Sequence, residues 1–256
     1  MRAAGGVFVA FDTATEAIGL GVARVSDAGR ETLHSAALPS PRKANTLLLE
    51  TLVQALAETG CGLPEVGAVI VGRGPGSFTG VRIGVAAAKG LAQGLGVPLY
   101  GVSTAEAIAW EASARGHEGL LGVVGDAMRG EVYPVLFRCS GHAVRRLSPD
   151  RVAAPADVAA EWAGDIDEPL LMTGNGLAKY REVFGAALTD RASFASEEWW
   201  YPTGEGLFAA AERASGDGEL GSGDPGGVLP VYTRLSDAEE NERARAGASP
   251  RSEGPS

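Results

Sequence analysis

At 256 residues, of which 45% are hydrophobic, the chain is long enough to bury a large core in one large or two small domains. Its formal charge of −10 and its three lysines, Lys43, Lys89 and Lys179, exclude the extended basic surface that grips nucleic acid. No apolar run reaches the length of a membrane span, the first residues lack a basic segment with a cleavage site, and Cys61 and Cys139 stand far apart without a metal motif, so a cytoplasmic protein is expected.

Residues 7–11 are an apolar strand, followed by Asp12-Thr13-Ala14-Thr15-Glu16. Beyond that turn, Ile18, Leu20 and Val22 alternate with Gly19, Gly21 and Ala23, which reads as a hairpin. A third strand is expected over 32–38, before Pro39-Ser40-Pro41. Leu47, Leu48, Leu52, Val53 and Leu56 then mark an amphipathic helix over 44–59, stopped at Gly60. Residues 68–71 are a short β-branched strand, and Val81, Val85, Ala88, Ala92 and Leu95 recur at helical spacing after it. Another strand follows at 99–102, and Ser103-Thr104-Ala105-Glu106 matches a capping box opening a helix to about 115.

Residues 120–124 are apolar again, with a turn led by Asp126 and a returning strand over 131–138. An aspartate-led hairpin therefore occurs twice, hinting at two related halves. Helices are expected over 155–162, 177–184 and 203–214, with a strand at 170–173 ending in Gly174-Asn175-Gly176. Residues 216–227 read as a flexible loop, and the charged stretch from about 237 is expected to be disordered or helical only against a partner. Alternating strands and helices give an α/β fold.

The densest local signal is Gly72-Arg73-Gly74-Pro75-Gly76-Ser77-Phe78-Thr79-Gly80, at a strand-to-helix turn. A Walker A loop would need Gly-Lys-Ser/Thr at its end, and the nearest lysine, Lys89, lies well inside the helix. A dinucleotide fingerprint fails because Gly80 comes one residue late, and an esterase elbow fails because Pro75 stands where its first glycine belongs. Free amides at such a turn favour an anion, and glycines equally permit close packing; local chemistry leaves both open.

Taken together, the two aspartate-led hairpins and the later Gly-Asn-Gly resemble the actin and sugar-kinase superfamily. The run GRGPGSFTGVRIGVAAAKGL at 72–91 resembles the hallmark of the TsaB (YeaZ) family, and agreement extends to 11–16, 101–104, 126–133, 230–232 and Arg234. The resemblance implies two ribonuclease-H-like lobes, the second degenerate, placed here at 1–115 and 116–235, with a charged tail at 236–256. It also implies a non-catalytic subunit that binds a TsaD-type transferase modifying the adenosine beside the tRNA anticodon, reaches a TsaE-type ATPase and tRNA only through that partner, and pairs with itself when alone. ATP or ADP at a subunit boundary is compatible with this picture.

No metal centre is expected, because His34, His117 and His142 lack i, i+4 partners, and no nucleophile–base pair has a recognisable local context. Asp12, Thr13 and Asp126 are candidates for holding a nucleotide, but with no catalytic partner visible the turn-cap reading of Asp12 is favoured, and Asp126 has the same two readings. Arg73 and Arg82 flank the loop and fit either a phosphate or carboxylate, or plain solvation. For the partner interface, Gly80, Gly84, Val85, Ala88 and Ala92 keep one helix smooth, and Leu48 and Leu52 lie on the leucine stripe of the other. In the family these two helices meet TsaD as a bundle, but such stripes also suffice to cover this chain's own sheet. The family's frequent histidine at the start of the first helix is Ala44 here. An ATP-hydrolysing or phosphotransferring enzyme built on Asp12 and Asp126 is the alternative.

Overall fold

The computed structural model describes residues 5–40, 44–141 and 143–233; the tail at 236–256, Arg234 and His142 lie outside them. In chain order the elements are β1 (Gly6–Asp12), β2 (Ala17–Ser26), β3 (Gly29–Pro39), α1 (Ala44–Glu58), β4 (Val66–Gly72), α2 (Phe78–Leu95), β5 (Leu99–Val102) and α3 (Thr104–Ala114). They continue as β6 (Gly119–Asp126), β7 (Val132–Ser140), β8 (Ala143–Arg146), α4 (Pro155–Asp165), β9 (Leu170–Thr173), α5 (Leu177–Leu188), β10 (Ala192–Phe194) and α6 (Gly204–Gly216).

The first sheet runs β3-β2-β1-β4-β5 and the second β8-β7-β6-β9-β10, so the two have the same order. In each, the first three strands are antiparallel and the last two parallel to the first. The repeated hairpin is thus one end of a repeated sheet, and the fold is α/β with two ribonuclease-H-like lobes. The short edge strands β8 and β10 carry no strong alternation, and sequence reading passes over both.

β1 is apolar throughout because both faces of its sheet are covered. Val7, Val9 and Phe11 pack with α1 and α2, while Phe8 and Ala10 pack with Leu207 and Phe208 of α6. The alternation in β2 has the same cause. Ile18, Leu20 and Val22 face α1, whereas a side chain at Gly21 would begin 2.6 Å from the Cα of Gly204, where α6 starts.

Two helices cross between the sheets. α3 follows the first sheet yet lays Ala105, Ile108, Ala109 and Ala112 on the second, among Leu121, Val135 and Phe137. α6 follows the second sheet and covers the first. Arg30 on β3 fastens it there, pairing with Glu205 at 2.7 Å and Glu212 at 2.8 Å. The interlobe boundary therefore carries core side chains.

Candidate interlobe site and docking face

β1 and β6 each end in an aspartate that folds the turn after it. Asp12 Oδ1 accepts the Ala14 amide at 2.6 Å, and Asp126 Oδ1 accepts the Met128 amide at 3.0 Å. This is the same side-chain turn in both lobes. Asp12 is fully buried, and its other oxygen accepts the Thr104 hydroxyl at 2.5 Å. Burial pushes its carboxyl above the usual 3.8, against the pull of the bonds from Thr104 and Ala14. Asp126 instead meets Lys179 of α5, and that bond raises the lysine.

Asn175 ties the lobes together. Its side-chain oxygen accepts the Asp126 amide at 3.0 Å, and its side-chain nitrogen donates to Glu16 of the first turn at 2.5 Å. Ala14, Thr15, Gly76, Thr104, Asp126 and Tyr133 line the cavity left between the turns, about 20 Å³ in volume. That is room for one water and far too little for a nucleotide. The sequence marks the aspartates as site candidates but gives Thr104, Lys179 and Glu16 no such role, because their partners are 92, 53 and 159 residues away.

The glycine loop packs against the first turn. A Cβ on Gly76 would lie 2.4 Å from the Ala14 carbonyl oxygen, and one on Gly80 would lie 2.0 Å from that of Thr13. Gly84 would meet the Thr13 hydroxyl at 2.5 Å. Thr13 donates that hydroxyl to the Gly80 carbonyl at 2.6 Å, so its side chain serves the packing of α2. Four of the loop amides are engaged: Arg73 donates to Val102, Gly74 to the Thr104 hydroxyl, Ser77 to Ala14, and Gly80 to the N-cap Ser77. Of the two readings open from sequence, close packing is the one the geometry bears out.

Leu48, Leu52, Gly80, Gly84, Val85, Ala88 and Ala92 are all buried within this chain. These positions form the stripe that covers this chain's own sheet, which is the stripe that periodicity marks. The outward faces differ. On α1, Leu49 and Val53 are 52% and 49% exposed, with Ala57 in line. On α2, Ala86, Gly90 and Gly94 are exposed, and a Cβ on either glycine would meet nothing within 4 Å. Mid-helix glycine costs about 1 kcal/mol relative to alanine, and among the described residues no close neighbour requires it here.

Arg82, though exposed, is held by two aromatic residues. Its guanidinium stacks 3.7 Å above the Phe78 ring, and its Nε donates to the Tyr232 hydroxyl at 2.8 Å. Arg73 lies along Gly101 and reaches toward the Leu229 carbonyl. Among the described residues no three His, Cys, Asp or Glu side chains converge as metal ligands, and no helix is long and apolar enough to cross a membrane.

Comparison with known proteins agrees with this architecture. Residues 40–214 match a family described as "TsaD: tRNA N6-adenosine threonylcarbamoyltransferase". The chain is 31% identical to the tRNA threonylcarbamoyladenosine biosynthesis protein TsaB of Bacillus subtilis, over 68% of this chain and 72% of that one. It is 30% identical to an uncharacterized protein of Mycobacterium tuberculosis, over 90% of this chain and 92% of the relative. The solved structure of YeaZ from Pseudomonas aeruginosa superposes with a TM-score of 0.71 at 29% identity, covering 89% of this chain and 99% of that one. With the glycine loop, the paired aspartate turns and the duplicated sheet all in place, the chain belongs to the TsaB/YeaZ family.

Proposed function

We propose that this chain is a non-catalytic subunit that docks a TsaD-type threonylcarbamoyltransferase for threonylcarbamoyladenosine modification of tRNA. The outer faces of α1 and α2 carry this reading: Leu49 and Val53 on one helix and Ala86, Gly90 and Gly94 on the other are exposed, and among the described residues nothing packs where a side chain on either glycine would stand. Small residues let a partner helix approach closely, and two half-exposed aliphatic side chains offer it apolar area. With a charge of −10, the chain depends on its partner to hold tRNA, and a TsaE-type ATPase would join through the same partner.

Catalysis by Asp12 and Asp126 is the second reading. Against it stand the one-water cavity, the complete burial of Asp12 and the Lys179 ammonium on Asp126. Hydrolysis of ATP with magnesium by the isolated chain, lost in Asp12→Asn, would restore it.

Association measured with a TsaD-type transferase tests the docking face. Leu49→Glu combined with Val53→Glu is expected to weaken binding at least ~100-fold, about 2.7 kcal/mol, with little change in monomer stability because both positions already face water. Wild-type protein that fails to associate at micromolar concentration sinks the proposal. Unchanged affinity in the double variant sinks this choice of face.

A further inference from the structure

After α6 the chain returns across the first lobe, and its last described residues run over the glycine loop. The Gly223 carbonyl accepts the Leu99 amide at 2.9 Å, the Gly226 carbonyl receives Lys89 at 3.4 Å, and Val228 is buried in the first-lobe core. Val231 then donates to the Arg73 carbonyl at 2.8 Å, which pins the segment to the loop itself. Tyr232 follows, its ring 5.4 Å from Phe78 and its hydroxyl on Arg82. Thr233 lies beside the Tyr133 hydroxyl of β7, and Tyr133 pairs across the sheet with Gly125 and lines the interlobe cavity.

The segment thus starts in the core of one lobe and ends against a strand of the other. It stands at the Tyr133 side of the cavity, and the Glu16–Asn175 bond joins the lobes elsewhere on its rim. Its hold is not that of a core element. Leu229 and Tyr232 are 60% and 47% exposed, so beyond Val228 the grip rests on directional bonds and one stacked arginine. Segments held in this way open locally at far lower cost than the fold as a whole.

We propose that residues 228–233 are a releasable strap: seated on Arg82, Phe78 and the Arg73 carbonyl and ending beside Tyr133, it holds the glycine loop to the first aspartate turn and ties the two lobes next to the interlobe cavity, and unseated it lets the lobes part. Arg82 and Phe78 sit on the first turns of α2, so a partner on the outer face would compete with Tyr232 for them. That last link rests on the docking proposal above; the strap itself does not.

Amide hydrogen exchange on the full chain, without any partner, tests it. Tyr232→Ala and Arg82→Ala are expected to speed exchange at least ~10-fold at 12–16, 74–77 and 125–131, with the interiors of β1 and β4 unchanged. Tyr232→Phe, which keeps the ring and loses the hydroxyl, should fall between wild type and Tyr232→Ala. Faster exchange confined to 228–233, or none anywhere, overturns the proposal. Arg82 is exposed, so its variant keeps the test available should Tyr232→Ala fold poorly.

Discussion

Gly80→Ala is expected to destabilise the protein by about 3 kcal/mol, lowering the melting temperature by roughly 6–12 °C. Local propensity points the other way: Gly80 lies inside α2, where alanine is favoured over glycine by about 1 kcal/mol. Tertiary packing reverses the sign. The new methyl would sit 2.0 Å from the Thr13 carbonyl oxygen, a backbone atom fixed between buried Asp12 and Ala14. Relief would need α2 to lift from the turn, breaking the 2.6 Å bond from Thr13 to the Gly80 carbonyl. Gly90→Ala is the matched control, since nothing lies within 4 Å of its Cβ. There the propensity gain should appear as about 0.5–1 kcal/mol of added stability. Urea titration of both variants decides the matter, and a stabilised Gly80→Ala would refute the packing role of the loop.

Asp12→Ala should cost about 2–4 kcal/mol at neutral pH, because it leaves the Ala14 amide and the Thr104 hydroxyl without their buried acceptor. Asp12→Asn should be close to neutral. An asparagine oxygen can still accept from Ala14, and its nitrogen can donate to Thr104, while the cost of burying a charge disappears. The pH dependence separates the two effects. Burial raises the folded-state pKa of Asp12 above 3.8, so the folded form binds its proton more tightly than the unfolded form. The stability this contributes is complete below the unfolded pKa and is lost as pH rises through the folded value. Asp12→Asn should therefore gain on wild type as pH rises through that window and then hold level. A difference between the two proteins that ignores pH would show that Asp12 is not desolvated as described. Under the docking proposal, Asp12→Asn also retains partner binding, whereas an enzyme that uses Asp12 loses turnover.

The main sheet elements were legible because each carries a local cause. β1 and β4 are unbroken apolar runs, α1 and α2 repeat at helical spacing, and Ser77 and Ser103 cap the helices they precede, accepting from Gly80 and Glu106. Even the duplication left a trace in the two aspartate-led turns. The long glycine motif tied the chain to its family without revealing what each glycine does.

What the sequence by itself determined is the order of the helices and of every strand but the short edges β8 and β10, the family, and which face of each helix is apolar enough to bury. Which of those faces meets this chain's own sheet was settled only in three dimensions. Periodicity reports the strongest stripe, and in α1 and α2 that stripe is spent on the core, leaving Leu49, Val53, Ala86 and Gly90 outward. The long-range contacts have no sequence signature either. Asp12 with Thr104, Glu16 with Asn175, Arg82 with Tyr232, and Gly21 with Gly204 join residues whose separation is set by the path of the chain. A hydrogen bond or a close backbone approach needs only one compatible group at each end. Its chemistry leaves no periodic pattern, and only the packed sheets bring the two ends together.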